Sequence, residues 1–208
     1  MSDLQHTVLN AALPHIAFDG WNMSVLENSA IEAGLSAAHA HQAFPDGVLG
    51  AILLHTHNAD SQMTDTLAKD YNLATMRVRE RIATAVLVRL NAHSSHRETI
   101  RRAAALLAMP WNAPLGLKAL YATVDAMWRA AGDTSTDFNF YTKRLLLANV
   151  YMSTLHVWLS DDSPQFRDTE AFLYRRIEDV MKIEKTKAKM KQTMAGFGSF
   201  GFAYHAKR

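Results

Sequence analysis

Residues 24–46 read SVLENSAIEAGLSAAHAHQAFPD, and their pattern indicates the fold class. Its first part predicts a helix, because the Ser24 and Glu27 side chains can both satisfy free backbone N–H groups as a capping box. Gly34 then predicts the end of that helix, and Ser36 can cap a second one. Two short helices joined by such a tight turn predict a helix-turn-helix unit.

The chain around this unit also carries helical periodicity, whereas the alternation typical of strands is scarce. Proline, glycine and small polar residues predict breaks between helices at 45–47, 110–114, 132–137 and 161–164. We therefore predict an all-α protein with a helix-turn-helix module over 1–60 and a helical domain for ligand binding and dimerisation over 61–190. A basic tail rich in glycine and phenylalanine follows at 191–208.

Charge is unevenly distributed along the chain. The 208 residues carry a net charge of +2, yet residues 1–68 hold seven acidic side chains and no lysine or arginine. From residue 175 onward, nine basic side chains outnumber three acidic ones. An acidic head and a basic tail favour different partners. The absence of cysteine excludes a disulfide framework, a thiolate metal site and a cysteine nucleophile.

The segment 9–52 resembles the N-terminal module of tetracycline-repressor-type regulators, which bind DNA through a helix in the major groove. In this chain the corresponding recognition helix reads AAHAHQA over 37–43 and contains no lysine or arginine. Cationic contacts with phosphates supply most of the non-specific affinity for DNA, and an acidic surface is repelled by them. The sequence therefore predicts the repressor-like fold without nucleic-acid binding.

The sequence offers no pattern that selects a catalytic, metal or cofactor site. Residues 196–201 read GFGSFG and match the glycine spacing of a dinucleotide site, but they lack the required strand before and helix after. The pairs His39/His41 and His55/His57 are two residues apart, so on a helix their side chains point in different directions. Polar or partly buried histidines are the simpler interpretation. We predict a protein that is not an enzyme and has no metal or cofactor.

A mixed stripe of side chains follows the glycine corner at Gly132. Asp137, Phe140, Tyr141 and Arg144 lie at i, i+3, i+4 and i+7 and share one face of the predicted helix. Aromatic and arginine side chains are favoured anchors of protein interfaces, which makes these four the candidate partner-binding residues. Spacing alone favours the alternative, a helix start whose aromatics pack into the core and whose charges are solvated.

The next segment, residues 145–158, is apolar almost all round, which predicts burial on most sides. It could be filled core, a dimer seam or the wall of an apolar ligand cavity, and the sequence leaves all three open. A ligand cavity should enclose at least roughly 300 Å³. We assign as candidate lipid-binding residues Leu107, Trp111, Tyr121, Trp128, Leu146, Val150 and Trp158.

The C-terminal tail combines lysines with the aromatic residues Phe197, Phe200 and Phe202. Basic segments with aromatic side chains suit an anionic membrane surface, so these three are the candidate membrane contacts. A solvated helix that fades into a disordered end is an equal competitor.

Five stretches carry a resemblance to a known family that covers nearly the whole chain. They read AALPHIAFDGW at 11–21, VDAMW at 124–128, AGDTSTDFNFYTKR at 131–144, DDSPQFRDT at 161–169 and FLYRRI at 172–177. Together they resemble the ubiquinone-biosynthesis accessory proteins of the coenzyme Q nine family. The resemblance implies a tetracycline-repressor-like fold, homodimerisation through the C-terminal helices and binding of an isoprenoid quinone intermediate.

The resemblance also implies a protein partner, the di-iron demethoxyubiquinone hydroxylase. The family's contact patch falls on Asp137, Phe140 and Tyr141 of this chain. Position 140 is usually Trp in the family, so Phe140 lacks an indole N–H donor. A membrane-binding amphipathic helix is implied after the basic stretch near the C-terminus.

These observations lead us to expect a non-enzymatic accessory protein of ubiquinone biosynthesis. It would bind an isoprenoid quinone intermediate or a phospholipid and present the quinone to the hydroxylase. A ligand-responsive transcription regulator and a lipid-free scaffold dimer are the alternatives. The N-terminus MSDLQHTVLN shows neither a secretory signal nor an Arg-rich presequence. We therefore expect a bacterial-type chain in the cytoplasm that can associate peripherally with a membrane.

Overall fold

The computed structural model describes residues 3–136 and 138–182, and every regular element in these ranges is helical. The all-α prediction is therefore confirmed. The helices are α1 Asp3–Asp19, α2 Met23–Glu32, α3 Ala37–Ala43, α4 Val48–Asp70, α5 Val78–Asn91, α6 Arg97–Leu107, α7 Ala113–Ala130, α8 Phe138–Trp158 and α9 at 167–182. Asp137 and the candidate membrane contacts Phe197, Phe200 and Phe202 lie outside the described residues, as does the tail at 191–208.

Helix α2 begins slightly earlier than predicted. Its N-cap is Asn22, whose side-chain oxygen accepts a 2.9 Å hydrogen bond from the Val25 N–H. Ser24 lies inside the helix and does not cap it. The prediction of a Ser24 cap was wrong because asparagine is an equally good N-cap, and here it is the residue with extended backbone angles.

The turn between α2 and α3 forms as predicted. Gly34 has a φ of +79°, and the Leu35 N–H donates to the Ala30 carbonyl at 2.9 Å. The positive φ of Gly34 takes the backbone out of the helical conformation and ends α2. Glycine is favoured at this position because any other side chain would be strained there. Ser36 is the N-cap of α3, and its backbone N–H donates to Nδ1 of His39 at 3.1 Å.

Two hydrophobic clusters lie along α4. The first packs α1, α2, α3 and the start of α4 against α6, and the second packs the end of α4 against α5, α7, α8 and α9. Helix α4 contributes Ile52 to the first cluster and Met63 to the second, and both are fully buried. The predicted boundary at residue 60 falls inside this continuous helix and stays a prediction.

A sharp corner joins α7 to α8. Gly132 has a φ of +85°, and the Asp133 N–H donates to the Trp128 carbonyl at 2.9 Å. The predicted stop at Gly132 is thereby confirmed. Among the described helices, none is both long and apolar enough to cross a membrane.

The start of α9 is organised by a buried carboxylate. Asp161 accepts hydrogen bonds from the Ser163 N–H at 2.8 Å, the Thr169 N–H at 2.8 Å and the Thr169 hydroxyl at 2.6 Å. Burial by itself would raise the pKa of Asp161, but these hydrogen bonds outweigh it and hold the pKa at about 2.

The positive φ at Gly132 predicts that alanine destabilises the protein there, whereas alanine inside a helix does not. We expect Gly132→Ala to lower the free energy of unfolding by about 1 kcal/mol, because alanine is strained at positive φ. Gly50→Ala is the matched control inside α4, where the new Cβ would lie 3.6 Å from the nearest atom, an ordinary contact. It should be neutral or stabilise by up to about 1 kcal/mol. Urea unfolding followed by circular dichroism measures both, and equal stability of the two variants would contradict the prediction.

Asp161 predicts an acid-sensitive contribution to stability. Its pKa is lowered in the folded state from 3.8 to about 2, so its stabilisation is present above pH 4 and is lost as pH falls toward 2. Asp161→Asn should therefore destabilise the protein by about 2 kcal/mol near neutral pH. The difference in melting temperature between the two proteins should shrink as pH falls from 5 to 2. Asp162→Asn, an exposed neighbour, is the control, and a pH-independent difference for Asp161→Asn would be the contrary result.

Candidate ligand cavity and contact patch

A cavity of about 270 Å³ lies between α4, α5, α6, α7 and α8. Small and aliphatic side chains form most of its wall. Helices α6 and α7 approach closely at Gly116, where a Cβ would come within 2.8 Å of the Leu107 carbonyl oxygen. The volume is slightly below the roughly 300 Å³ expected of a ligand pocket. Apolar residues that line it include Ala59, Ala103, Leu107, Leu117, Leu120, Met152 and Leu155.

The buried end of the cavity is polar. Arg89 forms an ion pair with Asp60, with 2.6 Å between Nε and Oδ1, and donates through Nη1 to the Tyr151 hydroxyl oxygen at 2.8 Å. The Thr123 hydroxyl donates to the second oxygen of Asp60 at 2.9 Å. All four side chains are buried. The ion pair is therefore charge-balanced and hydrogen-bonded at both ends, as a buried pair must be.

Two histidines lie beside this network. The rings of His55 and His93 line the cavity and meet edge to face, with 5.3 Å between their centroids. Burial, together with the neighbouring His93 and Arg89, lowers the pKa of His55 to about 3. Burial and then the Arg89 charge lower the pKa of His93 to about 4. Both imidazoles are therefore neutral near pH 7.

The His93 ring has unused hydrogen-bonding capacity. Its Nε2 atom is buried and has no hydrogen-bond partner among the described residues. Buried polar atoms are normally paired, so this unpaired atom of a cavity-lining residue is a candidate partner for a ligand atom. Within 3–136 and 138–182, no three or more histidine, aspartate or glutamate residues are grouped so that they could hold a metal ion.

The seven predicted lipid-binding residues are not all at this cavity. Leu107 lines it. Trp111 and Tyr121 are exposed, at 76% and 44%. Val150 and Trp158 are buried in the second cluster, while Trp128 and Leu146 are half-buried, and these four do not line the cavity.

Sequence reasoning missed the polar end of the cavity. Arg89 belongs to the buried face of α5, three residues after Val86. A charged residue at a position where helical periodicity predicts burial is a usable signal, since a buried charge needs a partner. The identity of that partner, 29 residues away in sequence, carries no such signal.

The candidate partner patch lies at the start of α8. Tyr141 is 65% exposed, and the half-buried Phe140 contacts it edge to face with 5.1 Å between ring centroids. Arg144 lies beneath the patch and is buried, with its guanidinium carbon 3.4 Å from the Phe140 ring centroid.

Two carboxylates hold Arg144 in place. Its Nε donates to Asp125 at 2.6 Å, and its Nη1 donates to Asp133 at 3.1 Å. Burial would raise the pKa of Asp133, but hydrogen bonds from Lys143, Ser135 and Arg144 outweigh it and hold the pKa at about 2. The charge of Arg144 is thus used internally, and the Tyr141 ring is left at the surface.

The helix-turn-helix unit presents histidines where a DNA-binding protein would present cations. Within α3, His39 Nδ1 contacts the Ser36 hydroxyl at 2.7 Å, and His41 Nε2 contacts Glu27 at 2.7 Å. Both imidazoles are therefore engaged by neighbouring residues of the unit.

Comparison with known structures confirms the predicted fold. A TetR transcriptional regulator from Nitrosomonas europaea superposes with a TM-score of 0.68 at 19% sequence identity, over 85% of this chain and 97% of the regulator. At that identity the similarity shows the fold alone.

Sequence comparison identifies the relatives. The COQ9 family model matches residues 113–184, which begin at α7 and include α8. The human protein "Ubiquinone biosynthesis protein COQ9, mitochondrial" is 36% identical over 91% of this chain and 61% of its own length. COQ9-B of Xenopus laevis is 38% identical over 86% of this chain and 62% of its own length. The chain thus spans about three fifths of the length of these relatives.

The relatives correct one prediction. We expected a bacterial-type cytoplasmic chain, whereas the relatives from human, cattle, rat and Drosophila melanogaster are all named as mitochondrial proteins. That expectation was wrong. It rested on the first residues of a chain that spans only part of its relatives, and such residues do not report the location of a protein.

The residues that carry the resemblance at 124–128 and 131–144 lie within the matched segment, and the fold around them is that of a TetR regulator. The resemblance to the coenzyme Q nine family is therefore confirmed, and the chain is a relative of the COQ9 ubiquinone biosynthesis proteins.

Proposed function

We propose that this chain is a non-enzymatic accessory protein of ubiquinone biosynthesis that binds an isoprenoid quinone intermediate and presents it to the demethoxyubiquinone hydroxylase. The observation that carries the proposal is the apolar cavity between α4 and α8 with its polar buried end. The proposal includes a homodimer formed through the C-terminal helices and peripheral contact with a membrane.

Apolar burial explains why such a carrier is useful. A polyprenyl tail exposes a large apolar surface in water, and shielding that surface lowers the free energy of the complex in proportion to the area covered. The cavity of about 270 Å³ can take the ring and the first part of the tail. Leu117 at its rim is 67% exposed and Tyr121 lies one turn further along α7, so the exposed apolar surface continues past the rim.

The start of α8 supports the second part of the proposal. Tyr141 and Phe140 form a compact aromatic surface, and Arg144 holds it from below through Asp125 and Asp133. Rigid aromatic side chains are the typical anchors of protein interfaces because they cover a large area with little loss of rotamer entropy. We assign Tyr141, Phe140 and Asp137 to contact with the hydroxylase, and Arg144 to positioning.

A ligand-responsive regulator is the alternative that the fold suggests. A regulator of this type would bind DNA with an affinity that falls steeply with salt. Helix α3 has no lysine or arginine, and its two histidines contact Ser36 and Glu27. These features favour the accessory protein over the regulator.

Filling the cavity should remove the bound lipid. Ala104 lines the cavity, so Ala104→Phe would occupy its volume with a ring. The neighbouring Ala105 is exposed on α6, and Ala105→Phe is the matched control. Native mass spectrometry with lipid extraction of the purified proteins measures the result. We expect the unmodified protein and Ala105→Phe to carry an isoprenoid and Ala104→Phe to lose most of it. A lipid-free unmodified protein would instead favour the scaffold dimer.

Truncating the aromatic patch should weaken hydroxylase binding. We expect Tyr141→Ala to raise the Kd for the hydroxylase about thirty-fold, which corresponds to the roughly 2 kcal/mol of an interface hot spot. Tyr71→Ala removes an exposed tyrosine at the end of α4 and serves as the control. Titration calorimetry with the purified hydroxylase measures both constants. Unchanged affinity of Tyr141→Ala would place the interface elsewhere.

A further inference from the structure

We propose that the cavity takes its ligand head-first, with a neutral, oxygen-bearing head group among His55, His93 and Tyr151 and the apolar tail leaving past Leu117 and Met152. This inference rests on the proposed function, because it assumes that the cavity holds an amphiphilic lipid. It adds the orientation of the ligand and the residues that select its head group.

The polarity of the cavity changes from its buried end to its rim. The polar lining residues His55, Arg89 and Tyr151 are buried, at 6%, 6% and 5% exposure. At the rim, Leu117 and Met152 are apolar and are 67% and 44% exposed. A lipid that entered tail-first would place hydrocarbon at the buried end and leave the His93 Nε2 atom and the Tyr151 O–H hydrogen without a partner. A buried donor or acceptor without a partner destabilises the complex, so the head-first orientation is favoured.

The buried end can bond to carbonyl and hydroxyl oxygens. The Tyr151 oxygen accepts from Arg89, which leaves the hydroxyl's own hydrogen free to donate. The His93 Nε2 atom is buried and has no partner among the described residues. A neutral imidazole nitrogen either donates or accepts, depending on the tautomer. Two such groups can bind a ring that carries a carbonyl oxygen or a phenolic hydroxyl.

Among the residues that the structure describes, the same end offers no free positive charge to an anionic head group. Asp60 neutralises Arg89 at 2.6 Å, and the lowered pKa values of His55 and His93, about 3 and about 4, keep both rings uncharged near pH 7. A phosphate placed there would lose its hydration without gaining a counter-charge, which is strongly unfavourable. The buried end of the cavity therefore selects quinone or phenol head groups over prenyl diphosphates and phospholipid head groups.

A set of three probes with the same two-isoprene tail tests this inference. They are geranyl-1,4-benzoquinone, geranylbenzene and geranyl diphosphate, which differ only in the head group. Each is titrated into the purified, delipidated full chain by calorimetry. We expect the quinone to bind at least ten-fold more tightly than the other two.

Two variants assign the effect to the buried end. His93→Phe and Tyr151→Phe keep a ring in place and remove one hydrogen-bonding group each. Each should raise the Kd of the quinone about five-fold, the typical net effect of one hydrogen bond, and leave geranylbenzene binding unchanged. His57→Phe is the matched control, because His57 is exposed and is outside the cavity lining. His93→Phe decides the question by itself if Tyr151→Phe fails to fold.

The outcomes separate the two proposals. If geranyl diphosphate or geranylbenzene binds as tightly as the quinone, or if His93→Phe binds the quinone like the unmodified protein, the head-first orientation is overturned and the lipid carrier stands. If none of the three probes binds, the carrier function itself fails.

Discussion

The side chains of Asp60 and Arg89 meet at 2.6 Å inside the helical domain. Thr123 donates a further hydrogen bond to Asp60, and Arg89 donates one to the Tyr151 hydroxyl oxygen. One polar cluster thereby connects α4, α5, α7 and α8, the helices that surround most of the cavity. Removal of one partner from a buried ion pair leaves an uncompensated charge and typically costs about 3–5 kcal/mol. The relative placement of these four helices, and with it the shape of the cavity, depends on this pair.

The N-terminal module, residues 1–60, contributes to the same site. Trp21 packs against the His55 ring with 5.9 Å between centroids, and its indole N–H donates to the Thr99 carbonyl at 3.0 Å. Helix α4 carries His55 and Asp60 and continues from the first hydrophobic cluster into the second. A repressor-like module without cations on α3 thus still has a physical role, because its Trp21 packs against His55 at the buried end of the cavity.

The aromatic patch and the cavity use charge in the same way. At the cavity, Asp60 neutralises Arg89, and at the patch, Asp125 and Asp133 neutralise Arg144. In both places the arginine is buried and a nearby aromatic residue, Tyr151 or Phe140, lies against its guanidinium. The arginines hold aromatic side chains in fixed positions, and the surfaces that a ligand or partner would meet carry no free cation from them.

The helical class, the glycine corners at Gly34 and Gly132 and the cap at Ser36 could be predicted from the sequence, because these features depend on residues within one or two turns of each other. The charge asymmetry follows from composition alone. Which side chains meet, in contrast, depends on how the helices pack. Trp111 was assigned to the cavity wall and lies at the surface, while His55 and His93, 38 positions apart in sequence, line the cavity together. The stripe that ends at Arg144 was recognised from its spacing, but the burial of the Arg144 side chain was not predicted. Helical periodicity is a local property of the chain, whereas a cavity is space left unfilled between helices distant in sequence.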